Sequence, residues 1–449
     1  MDIGSISHGA TNGASVAPRM FTSTTLYPAQ GVFRLLLTGL LALALLQGCA
    51  DATRSELPPW VSSRAPAAAP MRIRTLGPDQ EFLELAAATV ARSLPDDHDG
   101  EPLRVLALSG GGAGGAFGAG ALVGMTQSGQ RPRFDVVTGV SAGALIAPYA
   151  FLGPSWDKYL AESYTSGSGD HVLRLRGLGA IFGSSVYRGG PLTKLIDHYV
   201  TDDLIRAVAV EAAKGRLLLV ATTNVDSGEP VIWDLGSIAL NGGANARVMF
   251  RDVLVASASV PGMFPPVVMH FRKNGQVYDE AHVDGSVTLP FFVAPEFADD
   301  SVESHTEQTT AQPKRPTTLY VLIDGPLDER PALTRLQTGA ILSRSVTASL
   351  HVMMRTTLEL VASNAAANGV SLQYSAIPAS YPRHNAFDFS AAGMRPLFQY
   401  ATQCAAETHL WTTFHRGVPA SEAPAAPAGG VPCPADDALI EYLAKMAAP

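Results

Sequence analysis

The sequence predicts an α/β protein of three layers, a mostly parallel central sheet with helices on both of its faces. Three observations predict it. Short apolar runs alternate with helical segments along the middle of the chain, the pattern of parallel strands joined by helical crossovers. Two of those runs end in glycine-containing turns, "LSGGGAGG" at 108–115 and "TGVSAGA" at 138–144, and each turn leads into a helical stretch of small residues. The 449 residues, 47% hydrophobic and 16% charged, are enough to bury a large core.

The elements can be taken in chain order. Arg34 precedes "LLLTGLLALALL" at 35–46, too short for an ordinary transmembrane helix of about 20 residues but of signal-peptide length. The run ends in Leu46-Gln47-Gly48-Cys49, which resembles a bacterial lipobox; Met20 is a plausible alternative start. Residues 1–48 are therefore expected to be a signal peptide and Cys49 the lipidated first residue of the mature chain. Ala50, in place of an inner-membrane retention aspartate, points to the outer membrane, facing the periplasm. Residues 49–76 read as a Pro/Ala-rich tether. A helix is expected over 77–95, with Leu83, Ala86, Ala87, Val90 and Leu94 on one stripe. Strands are expected at Arg104–Leu108, Phe134–Thr138, Leu217–Thr223, Val231–Asp234, Val277–Val283 and Leu319–Ile323. The polar stretch 298–316 reads as an inserted loop. A long helix is expected from Ala332 to Asn368, broken near Gly339. The main domain spans 77–416, and 417–449 is a Pro/Ala-rich tail with a short terminal helix.

Composition excludes several functions. The net charge is −8 and no Lys/Arg run exceeds two, so nucleic acid is not an expected partner, because neutralising phosphates needs a basic patch. Three cysteines and no Cys/His pair at ligand spacing argue against structural zinc. Export implies an oxidising compartment, where Cys404 and Cys433 either pair or remain free thiols.

The chemistry is carried by Gly139-Val140-Ser141-Ala142-Gly143. A G-x-S-x-G match is weak alone in a chain with 42 glycines, but here an apolar strand precedes it and a helix comes after it, as a nucleophile elbow requires. Pro148 is expected to kink or shorten that helix. A serine nucleophile needs a base and oxyanion donors. Gly110, Gly111 and Gly112 can supply donors, since glycines after a strand expose backbone N–H groups. Ser141 lies 31 positions after Gly110, room for one crossover that returns both loops to one sheet edge. The same glycines contain G-x-G-x-x-G, but no acid stands about 20 positions on, and no Gly-Lys-Ser/Thr completes a phosphate loop. The base is left open by spacing. Asp284, in Val283-Asp284-Gly285-Ser286, and Asp324, in Asp324-Gly325, both end strands; His351, His384, His409 and His415 are the candidates for a Ser-His-Asp arrangement.

Three blocks, "SGGGAGGAFGAG", "GVSAGAL" and "VDGS", with a fourth, "ASASVPGMFPPV" at 256–267, together resemble the patatin-like phospholipases. The resemblance runs from about residue 103 to 330. It implies a patatin-like three-layer fold and hydrolysis of lipid esters through a Ser-Asp dyad, without metal or cofactor. Carried over by position, Ser141 is the nucleophile, Asp284 its base, and the Gly111 and Gly112 amides the oxyanion donors, with Gly110 shaping the turn. Asp324 falls outside the pattern. Two departures stand out: the family often has Arg or Lys where this chain has Gly114, and Ser286 replaces the usual Gly or Ala. The alternatives are a non-catalytic envelope lipoprotein that uses the fold for binding, and a Ser-His-Asp esterase. Pro261 to Pro266 are expected either to line an acyl groove or to pack in the core.

Overall fold

A computed structural model describes residues 74–76, 102–177, 183–241, 243, 245–273, 276–293, 316–327, 333–414 and 431–434. The leader, Cys49, most of the tether, the 77–95 helix, most of the 298–316 insertion, His415 and the terminal helix lie outside the described residues.

Ten strands form one sheet: β1 (Arg74–Leu76), β2 (Leu103–Leu108), β3 (Val136–Val140), β4 (Leu217–Asn224), β5 (Pro230–Asp234), β6 (Val267–Lys273), β7 (Gln276–Asp284), β8 (Thr317–Pro326), β9 (Ser371–Ile377) and β10 (Thr412–Phe414). The centre runs β4-β3-β2-β8-β9 and is parallel throughout. Antiparallel strands flank it: β5 and β1 beyond β4, β10 beyond β9, and the β6–β7 hairpin. Strands β3 and β4 are buried along their whole length, as continuous apolar runs in a parallel centre should be.

Nine helices are described: α1 (Gly115–Gln127), α2 (Ala142–Leu152), α3 (Asp157–Thr165), α4 (Gly189–Tyr199), α5 (Asp202–Ala212), α6 (Leu235–Asn241), α7 (Ala246–Ser257), α8 (Thr338–Ala367) and α9 (Ala391–Ala406). The period of β2 separates two cores. Leu106 and Leu108 face Phe117 of α1, Ile146 of α2, Leu192 of α4, Phe250 of α7 and Leu397 of α9. Val105 and Ala107 face the other way, toward Leu358, Ala362 and Ala365 of α8 and Phe291. Among the described residues the layers are therefore unequal, with a crowd of helices on one face and a single long helix on the other.

The structure departs from the sequence reading in particular places. Arg74–Leu76, assigned to the tether, pairs antiparallel with Val231–Trp233 and extends the sheet edge. Helix α8 begins at Thr338, not Ala332, and is unbroken; Gly339 falls in its first turn, where a glycine does not interrupt it. Helix α2 runs through Pro148 to Leu152. Strands β6, β9 and β10 have no counterpart among the expected strands. Strands β9 and β10 complete the sheet by long-range pairing that local pattern does not announce, whereas β6 pairs locally with β7 as the first strand of a hairpin.

Candidate active site

Strand β4 explains how Ser141 meets Asp284. Its edge pairs in parallel with β3 as far as Val140 opposite Ala221. From the next residue the same strand pairs antiparallel with the end of β7, Thr222 standing opposite Asp284. Two strands thus arrive head to head on one neighbour. The residue after β3 is Ser141, and the last of β7 is Asp284. The Ser141 hydroxyl donates to Asp284 Oδ2 at 2.5 Å. Both are buried, at 6% and 2% exposure.

Ser141 sits at φ 54°, ψ −118°. A non-glycine residue at positive φ is strained, and such strain is a feature of functional turns. Its neighbourhood holds the turn closed. Gly143 allows the close approach: a Cβ there would lie 2.4 Å from the Leu108 carbonyl oxygen. Gly143 N–H donates to Ser109 O at 3.0 Å. Ser141 N–H donates to Ser257 Oγ at 3.0 Å, and that hydroxyl donates to Ala221 O at 2.7 Å. Sequence reasoning missed Ser257 and Ser109. Both lie inside the quoted blocks, Ser109 at the start of "SGGGAGGAFGAG" and Ser257 in "ASASVPGMFPPV", but their roles depend on contacts with segments far away in the chain.

The carboxyl of Asp284 is held by two donors. Besides Ser141, the Ser286 N–H bonds its Oδ1 at 2.8 Å. Its backbone is fixed by Asp284 N–H to Ser259 O at 2.9 Å and by Thr223 Oγ1 to Asp284 O at 3.0 Å. Burial pushes the Asp284 carboxyl up to about 6, opposed by the hydrogen bonds from Ser141 and Ser286. Behind it, buried His282 bridges Thr222 Oγ1 and Glu280 Oε2 at 3.0 and 3.1 Å, a polar network that ties β4 to β7.

The glycine loop lies beside Ser141. Gly110 N–H is occupied, donating to Pro290 O at 3.0 Å, and Ala113 N–H donates to Ala386 O at 2.8 Å. Between them, the Gly111 and Gly112 N–H groups have no acceptor among the described residues. Gly112 has φ +58°, and a Cβ on it would lie 2.2 Å from Ala386 O. Gly110 therefore shapes the turn while its two successors present donors. All three glycines, Ser141 and Asp284 line one cavity of about 1080 Å³. Its walls include Leu145, Leu192, Ile196, Val200, Leu254 and Phe264, with Pro261 beside Phe264. The Pro261–Pro266 segment thus contributes to the cavity wall.

Asp324 is also buried in this cavity wall, but its carboxyl Oδ1 accepts from Gly118 N–H at 2.9 Å. The structure does not bring it to the Ser141 hydroxyl. His351 and His384 line the cavity. His409 lies elsewhere, grouped with Glu407 and Cys433 within 4.8 Å. The Cys433 sulfur of that group is bonded to Cys404 in a disulfide. Among the described residues, no helix is long and apolar enough to cross a membrane.

The crystal structure of VipD from Legionella pneumophila is similar to this chain, with a TM-score of 0.35 and 12% identity, covering 70% of this chain and 68% of that one. No curated protein matches the sequence. The glycine loop, the Ser141 elbow and the Asp284 strand end all fall within residues 106–295, which match the family described as Patatin-like phospholipase, and the chain carries a patatin-like phospholipase domain over that span.

Proposed function

We propose that the protein is a lipid acyl hydrolase that cleaves carboxylic esters of phospholipids or related lipids through Ser141 and Asp284. The observation that carries the reading is the direct 2.5 Å hydrogen bond from the Ser141 hydroxyl to Asp284, without a histidine between them. Asp284 takes the Ser141 proton as Oγ attacks the ester carbonyl. The tetrahedral oxyanion is held by the Gly111 and Gly112 N–H groups. The carbonyl–alkoxy bond breaks, and the leaving alcohol takes the proton from Asp284. Water, deprotonated by Asp284, then attacks the acyl-enzyme; the acyl–Oγ bond breaks, Ser141 takes the proton back from Asp284, and the fatty acid is released.

A carboxylate is a weak base for a serine hydroxyl. Burial of Asp284 narrows that mismatch by raising its proton affinity. Much of the remaining barrier falls to the oxyanion donors, each worth ~10²–10³ in rate in other enzymes. The apolar cavity supports a long acyl chain as the group bound. The lipobox-like context of Cys49 supports anchorage at the bacterial outer membrane, where such substrates lie.

The test uses the purified full chain on p-nitrophenyl esters and phospholipid vesicles. Ser141→Ala should abolish turnover and Asp284→Asn should lower kcat by ~10²–10⁴-fold. The base works ionised, so activity should fall as pH drops through about 6. Full activity in Asp284→Asn, or a histidine variant as inactive as Ser141→Ala, overturns the dyad. No turnover on any ester favours a binding protein built on the same fold.

A further inference from the structure

Asp324 is the other buried carboxyl of the cavity, and the proposed reaction does not use it. Strand β8 runs parallel to β2, with Leu322 opposite Leu108, which delivers Asp324 beneath the glycine loop. Its contacts there are unusually many. Its N–H donates to Ser109 Oγ at 2.9 Å, and that hydroxyl donates to Gly110 O at 2.8 Å. Its Oδ1 receives Gly118 N–H, in the first turn of α1. Its carbonyl oxygen fills the space where side chains would start on the loop: a Cβ on Gly111 would lie 2.1 Å from it, and one on Gly114 2.0 Å. A single residue therefore touches the loop where it leaves β2, at the turn bearing the free amides, and at the helix behind. The Gly114 contact also gives a reason why this loop carries no cation there. Asp324 Oδ2 is buried without a hydrogen-bond partner.

We propose that Asp324 is a positioning residue, an acid around which the oxyanion loop is folded and which aims the Gly111 and Gly112 amides at the reacting carbonyl without touching it. The inference rests on the reading of Ser141 as the nucleophile. An ionised carboxylate fully buried with one amide donor and no cation is costly. Burial accordingly holds Asp324 well above the usual carboxylate range. The titratable groups that line the cavity with it are Asp284 from β7, Tyr149 from α2, Tyr164 from α3, Tyr199 from α4, Arg344 and His351 from α8, and Tyr381, Arg383 and His384 from the segment after β9. None of them bonds its carboxyl, whose one partner is Gly118 N–H. Burial thus favours the protonated acid over the carboxylate, and asparagine reproduces its shape and its Oδ1 acceptor.

The experiment compares the full-length parent with Asp324→Ala, Asp324→Asn, Ser141→Ala and Asp284→Asn. It measures kcat and KM on p-nitrophenyl butyrate, and the rate at which an uncharged alkyl fluorophosphonate modifies Ser141. That adduct is tetrahedral and places an oxygen in the same hole. Asp324→Ala should lower kcat and the modification rate together by ~10²-fold, with KM little changed, because misplaced donors cost transition-state stabilisation rather than binding. Asp324→Asn should restore most of that loss. A group with a raised carboxyl loses its protonated form as pH rises, so the parent should lose activity on raising the pH while Asp324→Asn does not.

Asp324→Asn as inactive as Asp284→Asn would make Asp324 a charged participant and overturn the inference. So would Asp324→Ala with parental rates. If Asp324→Ala does not fold, Asp324→Leu, which fills the space but offers Gly118 N–H no acceptor, takes its place, and parental rates in it overturn the inference. Turnover in Ser141→Ala would instead overturn the reading of the site beneath it, and is seen independently of the Asp324 series.

Discussion

Ser141 and Asp284 are each placed at a cost to the fold, and the cost of Asp284 is measurable. Burial raises its carboxyl above the ordinary aspartate range to about 6. The sign comes from linkage. The folded state holds the proton more tightly, so the contribution to stability is full below the unfolded value and is lost as pH rises through about 6. Asp284→Asn removes a buried charge at neutral pH. It should therefore melt at a higher temperature than the parent above pH 6, and at a similar one near pH 4, as thermal unfolding across that range will show. An Asp284→Asn protein less stable than the parent at neutral pH would mean that its two hydrogen bonds outweigh desolvation. Of the residues at this scale, Ser141 is legible in the sequence because an apolar strand precedes it and Gly139 and Gly143 flank it at two positions, a local signal, whereas Asp284 and Asp324 both end strands before a glycine and only the resemblance singles out Asp284. Ser257, Ser109 and Asp324 are not legible in those roles. Their partners are 116, 34 and 206 positions away for Ser141, Gly143 and Gly118 respectively, and nothing nearby in sequence encodes them.

At the scale of elements, the elbow between β3 and α2 depends on how closely α2 can approach β2. A methyl group on Gly143 would meet Leu108 O at 2.4 Å and Ser109 O at 2.7 Å, both backbone atoms that cannot swing aside. Gly143→Ala should cost about 1–3 kcal/mol of stability, as overpacking does, and should depress kcat by displacing the helix that carries Ser141. Urea unfolding and steady-state kinetics on the same preparation separate the two effects. Helix α1 is set by similar means, its Gly120 and Gly124 lying against the Phe398 and Thr402 carbonyls of α9. These later glycines serve close packing between helices rather than the oxyanion turn. Strands β2, β3, β4, β5, β7 and β8 are readable from apolar runs, to within two or three residues at their ends. The tether stretch conceals β1, a short strand whose only reason to exist is its partner β5. Helix α8 is readable in existence but not in where it starts, since Ala332 and Leu333 look as helical in pattern as the residues of the helix itself.

At the scale of the molecule, the unequal layers give the cavity its character. Helices α2, α4 and α7 supply its apolar wall through Leu145, Leu192, Ile196 and Leu254, while α8 reaches it from the other layer through residues such as Leu350 and Met354. The alternation of strands and helices indicates that both faces are covered, but not that, among the described residues, one helix does it alone on one side. If the α4 wall houses the acyl chain, Ile196→Trp should shorten the chain that fits. The ratio of kcat/KM for long-chain over short-chain p-nitrophenyl esters should fall about 10-fold or more, the scale of discrimination that a few methylenes give in an apolar pocket. An unchanged ratio would move the chain to another part of the cavity.

The meeting of β3 and β7 on β4 has one more consequence. The distance between Ser141 and Asp284 is written in main-chain pairing, Val140 with Ala221 and Asp284 with Thr222. A slip of one residue in β7 would bring Val283 or Gly285 to that position and turn the carboxyl to the opposite face. Leu192 and Ile196 of the cavity wall lie on α4, which takes no part in this alignment, whereas the α2 and α7 walls share their helices with the Ser141 elbow and with Ser257. Mutation is thus free to remodel what the protein accepts while the chemistry is inherited unchanged, so that closely related chains of this architecture should diverge in substrate long before they diverge in reaction.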